Sequence, residues 1–548
     1  MARTPRTPSA APGGEARPRR SRRALRTGAA ALVAPALLVA GCTGGGDDEG
    51  GEAGGSSTLD VLVVKHPLTK GMDEMAWVKT LEEEAGVTLN WEEVSADWDQ
   101  KKSTMLAAGD VPDLVIGTNV ITDSDLATYG SLFVDLSEHM DALPNVQAMF
   151  EEVDGAEQTA TQTDGSVYAL PRWKQAWPQA ITRQYINQQW LDALGLEMPT
   201  TFDELYDVLL AFKTEDANGN GDPDDEIPLD WAPVATTGWG YFQPSALLGG
   251  TGLPISGGGG TGYFVEDGTV GNWLADERWK EVLLFLERAN AAGLVSTNVM
   301  TQDYSAYQSV GRGSGDDATV GMSWGWTSSD RFGAQLAPQY ASMAPVLSEP
   351  GVEPTWSWDF ENLTPNHILL SAQSDAIDAG LRVIDAFYDE DLSVQTLFGD
   401  EGEYVTKTGE GAYEVLPPAD GTSDPSTWKW TNSLADASPG WIREETQLVL
   451  PTDLAEAVEQ SAPLEPALAN VDPDEDVWPP YIKMSAADLS TLSLNNTTLL
   501  NLTQNAFAQF VTNGGVEAGW DDYVASLEAA GLQQNIDLYQ QYYDASEG

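Results

Sequence analysis

Oxygen-bearing side chains recur at every second position in Asp216-Ala-Asn218-Gly-Asn220-Gly-Asp222-Pro-Asp224-Asp225-Glu226. Alternating carboxylate and amide oxygens, with glycine at the bend, let a short loop wrap a hard cation such as calcium, which takes six to eight oxygens at roughly 2.3–2.6 Å. The candidate ligands are Asp216, Asn218, Asn220, the Asp222 carbonyl and the acids at 224 to 226. Either Asp224 with Asp225, or Asp225 with Glu226, closes the set. The spacing follows the first six positions of the EF-hand pattern, but position twelve is Ile227, so the loop is EF-hand-like without being an EF-hand. The competing reading is a solvated loop of Asx turns that binds nothing.

The residues before the loop dictate how it is held. Ile181, Arg183 and Tyr185 alternate as in a strand, and a short helix around Gln189–Leu194 stops at Gly195, with Pro199 as a second stop. Thr201 with Glu204 three residues on is a capping box, and Phe202, Leu205, Leu209 and Phe212 fall close to a 3.6-residue period. The spacing predicts an amphipathic helix over 202–214 that delivers the chain into the loop.

A second kind of chemistry is carried by aromatic excess, 19 Trp and 17 Tyr. Indoles two apart on extended chain share a face, and such platforms stack on the apolar C–H faces of sugar rings while polar neighbours bind the hydroxyls. The candidate ligand-binding clusters are Arg172-Trp173-Lys174 with Trp177, Trp239 with Tyr241, Trp324 with Trp326, and Trp356-Ser-Trp358-Asp359. The competing reading for any single tryptophan is that it fills a core.

Other chemistries fall away. Gly257 to Gly262 satisfies G-x-G-x-x-G, but no strand precedes it and no helix opens from it. Three scattered histidines (His66, His139, His367) and one cysteine cannot assemble a zinc site, and no catalytic residue is assigned. With 85 Asp and Glu in the chain, carboxylate pairs arise by accident and do not argue for a glycosidase.

The chain has 548 residues, too many for one core. Its formal charge of −58 makes nucleic acid a poor partner, because the phosphate backbone must be met by Lys and Arg. Residues 1–41 read as an export signal, with six arginines from Arg17 to Arg26 and then an apolar run from Ala29 to Ala40. The unique cysteine, Cys42, ends a lipobox-like Leu38-Val-Ala-Gly-Cys42 and is the candidate lipidation site. A Gly-rich flexible tether spans 42–58. Runs at 59–64, 87–94 and 113–117 read as strands alternating with helices at about 73–85 and 97–108, which implies parallel βαβ units. Asp164-Gly165 reads as a hairpin turn. Helices are expected at about 276–292, 375–388, 452–470, 486–511, 516–531 and 533–544.

Several segments together carry a family resemblance. They are Tyr185 to Leu229, Met105-Leu-Ala-Ala-Gly-Asp-Val-Pro-Asp113, Val167-Tyr-Ala-Leu-Pro171, Phe398-Gly-Asp-Glu-Gly-Glu-Tyr404, and the tail from Gly519-Trp-Asp-Asp-Tyr523 to Tyr543-Asp544. The chain resembles the extracellular solute-binding proteins of carbohydrate ABC transporters, in the lipoprotein branch that includes alginate-oligosaccharide binders. The resemblance implies an α/β, two-lobed periplasmic-binding-protein-like (type II) fold with an interlobe ligand cleft, a structural Ca2+ in the loop and no enzymatic activity. It further implies a monomer, exported and lipid-anchored at the outer face of the cytoplasmic membrane, that hands an oligosaccharide to permease subunits. Lobe 1 is expected at 59–180 plus 318–367, and lobe 2 at 181–317 plus 368–548. The acidic chain favours a neutral oligosaccharide over a uronic one. The alternatives are a calcium-containing lyase or glycosidase, or a surface carbohydrate sensor.

Overall fold

A computed structural model describes residues 57–546 apart from 175–177, 223, 236–237, 256–259, 314–316, 359–361 and 418–430. The expected signal, Cys42, nearly all of the tether, Trp177 and Asp359 lie outside the described residues. Ser57 and Thr58, expected as the end of the tether, already belong to the first strand.

The first sheet comprises β1 (Ser57–Val64), β2 (Val87–Val94), β3 (Leu114–Ile116), β4 (Ala169–Lys174), β11 (Leu363–Leu370) and β14 (Trp441–Ile442), in the order β14-β4-β11-β3-β1-β2. β1 runs parallel to β2 over its whole length and parallel to β3, as the alternation of strand and helix requires. Leu59, Val61 and Val63 point into one core and Leu62 into the other. Both faces are therefore covered at β1 and β3, which is why these two read as apolar runs, whereas the edge strand β2 alternates buried and exposed positions. A small three-stranded sheet, β12 (Val405–Gly409), β13 (Ala412–Val415) and β15 (Gln447–Val449), extends this lobe.

The second sheet has the order β10-β5-β9-β6, from β5 (Arg183–Asn187), β6 (Ile227–Leu229), β9 (Val320–Gly325) and β10 (Tyr340–Ser342). A hairpin of β7 (Tyr263–Glu266) and β8 (Thr269–Asn272) packs under the C-terminal helix. The second core draws on residues from Ala180 to Trp356 and again from Leu464 to Leu532.

This corrects the expected crossings. β9 does not return to the first lobe near Ala318–Met322; it lies between β5 and β6 in the second sheet. The chain re-enters the first sheet only at β11, and Leu381, Val383, Phe387, Leu392 and Trp441 then pack in the first core. The physical reason is that Val320–Gly325 is buried on both faces, so its composition suits a central strand of either sheet. The long helix expected at 452–470 is also broken, into Thr452–Glu459, a 3-10 turn at Ala462–Leu464 and Glu465–Leu468. Pro463 and Pro466 remove the amide donors that a continuous helix needs.

The helix before the acidic loop spans Phe202–Thr214, as its spacing predicts, with Phe202, Leu205, Leu209 and Phe212 buried. Glu204 N donates to Thr201 Oγ1 at 3.3 Å, but the Glu204 carboxylate reaches one residue further back, accepting from Thr200 N and Thr200 Oγ1. Half of the expected capping box is thus displaced by one position.

Deep in the second lobe, Arg331 and Asp230 form an ion pair at 2.8 Å with both side chains fully buried. Arg331 also donates from Nε to Ser323 Oγ and from Nη1 to the Tyr307 carbonyl, and its guanidinium lies 3.7 Å from the Tyr307 ring centroid. Position 311 must be glycine, because a Cβ there would fall 1.7 Å from Arg331 Nη1.

Candidate functional site

Residues of both lobes line a cavity of about 810 Å³, within the range of sites that hold small ligands. β4 contributes Trp173, the crossing into β11 contributes Trp358 and Asn362, and the second-lobe segment before the long C-terminal helix contributes Tyr481. Asp154, Gln158, Gln179 and Asp474 supply further hydrogen-bonding groups, and no Lys, Arg or His is among the described lining residues. Trp173 and Trp358 are half-buried, so each keeps ring surface available while its body is anchored.

The other aromatic candidates divide. Trp239, Trp324 and Trp356 are at most 4% exposed and sit in the second core, so no sugar ring reaches them. Trp239 packs edge-on against Trp273, Trp279 and Phe507 at centroid distances of 4.9 to 5.3 Å. Trp356 Nε1 donates to the Thr182 carbonyl. The rule of two indoles on one face fails for Trp324 because β9 is buried along its whole length, and it never applied to Trp239 and Trp356, which lie outside the strands of the second sheet. Trp326, just past β9, is half-buried under the Arg183 guanidinium at 4.7 Å, and Tyr241 is half-buried beside Phe242. Tyr481, Gln158 and Gln179 escaped the sequence reading; Pro479-Pro480 before an aromatic was the available signal.

The basic pair on β4 is turned inward. Arg172 Nη1 donates to the Asp436 and Ala435 carbonyls, and Lys174 Nζ to Asp436 Oδ1 at 2.8 Å, with side chains 4% and 1% exposed. His367 beside them is fully buried and bonded through Nε2 to Thr364 Oγ1. Burial first, then the charges of Arg172 and Lys174, hold its pKa well below the ordinary histidine value, so the ring is neutral.

The acidic loop lies away from the cavity, sharing no lining residue with it. It winds through Asx turns, Asn220 N donating to Asn218 Oδ1 and Asp222 N to Asn220 Oδ1, and Gly221 N reaches back to Asp216 Oδ2. The amides of Asn218 and Asn220 meet the two oxygens of Asp225 at 3.0 and 2.7 Å, and Glu226 Oε1 accepts from the amides of Ala217 and Asn218. Two carboxylate oxygens, Asp216 Oδ1 and Glu226 Oε2, are buried without a hydrogen-bond partner. Burial and the neighbouring Asp225 push the Glu226 carboxyl above its usual range. Among the described residues no three acidic, histidine or cysteine side chains gather as a metal cluster, so a cation here would draw on amide and backbone oxygens too. Orphaned carboxylate oxygens at opposite ends of an oxygen-rich loop fit a hard cation.

A structure of an extracellular solute-binding protein from Bifidobacterium longum subsp. infantis superposes with a TM-score of 0.84 at 33% identity, covering 90% of this chain and 99% of that one. The chain belongs to the extracellular solute-binding protein family of carbohydrate ABC transporters. A second member from Bifidobacterium longum infantis, described as an HMO-binding, ABC-transporter-associated solute-binding protein, matches with a TM-score of 0.83 at 33% identity over 89% and 99% of the two chains. The fructooligosaccharide ABC transporter substrate-binding protein FusA of Streptococcus pneumoniae is 25% identical over 89% of this chain and 90% of its own length. FusA has also been solved as an EF-hand mutant in complex with fructo-nystose, with a TM-score of 0.77 at 22% identity over 90% and 99% of the chains. No family model matches the chain. These relatives are solute- and substrate-binding proteins, so the protein is a two-lobed solute-binding protein and not an enzyme; the lyase and glycosidase alternatives lapse. Among the described residues no helix is long and apolar enough to cross a membrane.

Proposed function

We propose that this solute-binding protein captures a neutral oligosaccharide between its lobes and delivers it to the permease of an ABC importer. The observation that carries the reading is the cavity itself, where two half-buried indoles and a tyrosine from both lobes converge with carboxylates and amides but without a described cation. A uronic oligomer needs converging Arg and Lys for its carboxylates, and Arg172 and Lys174 are bonded to Asp436 instead. FusA is named for fructooligosaccharides, which carry no ionised group. Trp173 and Trp358 are the ligand-stacking residues in this reading; Trp326 and Tyr241 do not line the cavity. Among the described residues, the first lobe comprises those of 57–174 and 363–449, and the second those of 181–358 and 451–546. Calorimetric titration with neutral and uronic oligosaccharides at two salt concentrations tests the reading. Binding of a neutral sugar that is insensitive to salt is expected; tight, salt-sensitive binding of uronic oligomers with neutral sugars inert sinks it.

Calcium in the acidic loop is structural in this reading, held by Asp216, Asn218, Asn220, the Asp222 carbonyl, Asp225 and Glu226. Asp224 is exposed whereas Glu226 is buried with a free oxygen, which favours Asp225 with Glu226 as the closing pair. Chelation is expected to lower the melting temperature, by a loss of about 2.7 kcal/mol where calcium had stood at a hundred times its Kd. Asp216→Ala should abolish that sensitivity with sugar affinity nearly intact. Superimposable melting curves with calcium and with chelator remove the claim.

The mature protein works as a lipid-anchored monomer at the outer face of the cytoplasmic membrane, tethered through Cys42 after removal of 1–41. An acylated cysteine with two or three chains holds a membrane stably where one chain does not. Cys42→Ser should shift the protein from membrane to soluble fractions or leave it unprocessed, and normal processing with full membrane retention speaks against the anchor.

A further inference from the structure

Asp123 and Lys483 belong to different lobes. Asp123 opens the helix Asp123–Tyr129, whose Leu126 packs on the first sheet. Lys483 directly follows Trp478 to Ile482, and both of those side chains pack with Tyr539 against the β7–β8 hairpin of the second lobe. Lys483 Nζ nevertheless lies 2.9 Å from both carboxylate oxygens of Asp123, with its side chain only 5% exposed. With Lys483 held that far out of water and Asp123 30% exposed, the pair's net contribution is offset by desolvation, but removing one partner is more damaging than at a surface pair.

The acceptor is fixed in advance from the first lobe. Asn366 Nδ2 donates to Asp123 Oδ1 at 2.9 Å and to Asn119 Oδ1 at 3.3 Å. Both asparagines adopt positive φ, +57° at Asn366 and +44° at Asn119, a region asparagine tolerates better than most residues. At Asn366 this coincides with the register break of β11 against β4 between Thr364 and Ile368, and its side chain is buried. Residues held in sparsely populated backbone regions concentrate where the surrounding structure uses them.

The segment that carries Lys483 is also the second-lobe wall of the cavity, through Pro479, Pro480 and Tyr481. The Tyr481 ring rests against Gly155 of the first lobe, where a Cβ would sit 3.6 Å from Tyr481 Cδ1. We propose that Lys483 is a positioning residue for the ligand site: its ion pair with Asp123 docks the Pro479–Tyr481 wall onto the first lobe, so that oligosaccharide is retained through a contact that never touches it. The inference rests on the cavity being the ligand site. The pair exists only when the lobes are together, so its loss raises the separated population and lowers apparent affinity by that fraction.

The test compares Lys483→Met, which keeps the stem but removes the charge, with Lys483→Arg, Trp358→Ala and the parent, using the neutral oligosaccharide that binds most tightly in the calorimetric titration above. Dissociation at least about tenfold faster in Lys483→Met, with association little changed and Lys483→Arg within about threefold of the parent, is the expected result. If Trp358→Ala weakens binding while Lys483→Met dissociates at the parental rate, the positioning role is overturned and the cavity assignment stands. If Trp358→Ala binds like the parent, the cavity assignment falls and takes the positioning role with it. A lower melting temperature in Lys483→Met with unchanged dissociation marks a merely structural contact and also overturns the proposal.

Discussion

Trp358→Ala is expected to weaken oligosaccharide binding by about 10- to 100-fold while lowering the melting temperature of the free protein much less than Trp356→Ala does. The ring lines the cavity beside Asn362 and is half-buried, and aromatic anchors of this kind typically carry about 1.5–3 kcal/mol of a binding free energy. Its backbone amide, bonded to the Ile255 carbonyl at 3.0 Å, survives the substitution, so the segment keeps its course. Trp358→Phe should recover part of the loss, since a smaller ring still stacks. Trp356→Ala is the contrasting variant two residues away: that ring is 1% exposed in the second core, and emptying such a site costs about 3–5 kcal/mol of stability. Equal affinity of Trp358→Ala and parent by calorimetry would show that sugar does not stack there.

Arg331→Met is expected to destabilise the second lobe by about 3–5 kcal/mol, because it strands a carboxylate that has no water to turn to. Burial already drives Asp230 above the ordinary carboxylate range, with Arg331 opposing that rise and Gln302 Nε2 donating at 3.1 Å. Without the guanidinium, Asp230 must take up a proton or break open the core, and the Tyr307 carbonyl and Ser323 hydroxyl lose a donor as well. The double variant Arg331→Met with Asp230→Leu should regain much of the loss, since removing both members of a buried pair is far milder than removing one. Urea denaturation of the single and double variants gives the comparison. A double variant no more stable than the single would mean that the pair is not what holds this region together.

Local features were legible where one physical rule dominates. The helix Phe202–Thr214 followed from a cap and an apolar period, and the loop after it from its oxygen spacing. β1 and β3 followed from apolar runs of strand length, and β2 from the strand-length stretch Val87–Val94. Membership of a sheet was not legible: Val320–Gly325 is apolar on both faces and nothing local says which partners it takes. The same blindness misplaced three tryptophans, since Trp239, Trp324 and Trp356 have the composition of a sugar platform and the surroundings of a core. Trp173 and Trp358 have the same composition, and only the fold brings them to one cavity. Tyr481 was invisible for a related reason, lying more than a hundred residues from either in the chain.

The discontinuous second core bears on the order in which the chain is delivered. Leu464, Phe507, Val511, Trp520 and Leu527 pack against residues that precede them by up to about three hundred positions, so a nascent chain that has emerged through β9 carries an apolar surface with nothing yet to cover it. Contacts of such sequence separation form late and slowly, and an uncovered sheet is prone to pair with the wrong chain. The first lobe waits as well, because Trp441 and the strand it belongs to come only after the second sheet has been made. A chain cut short before residue 464 would therefore lack part of the cover for its second core.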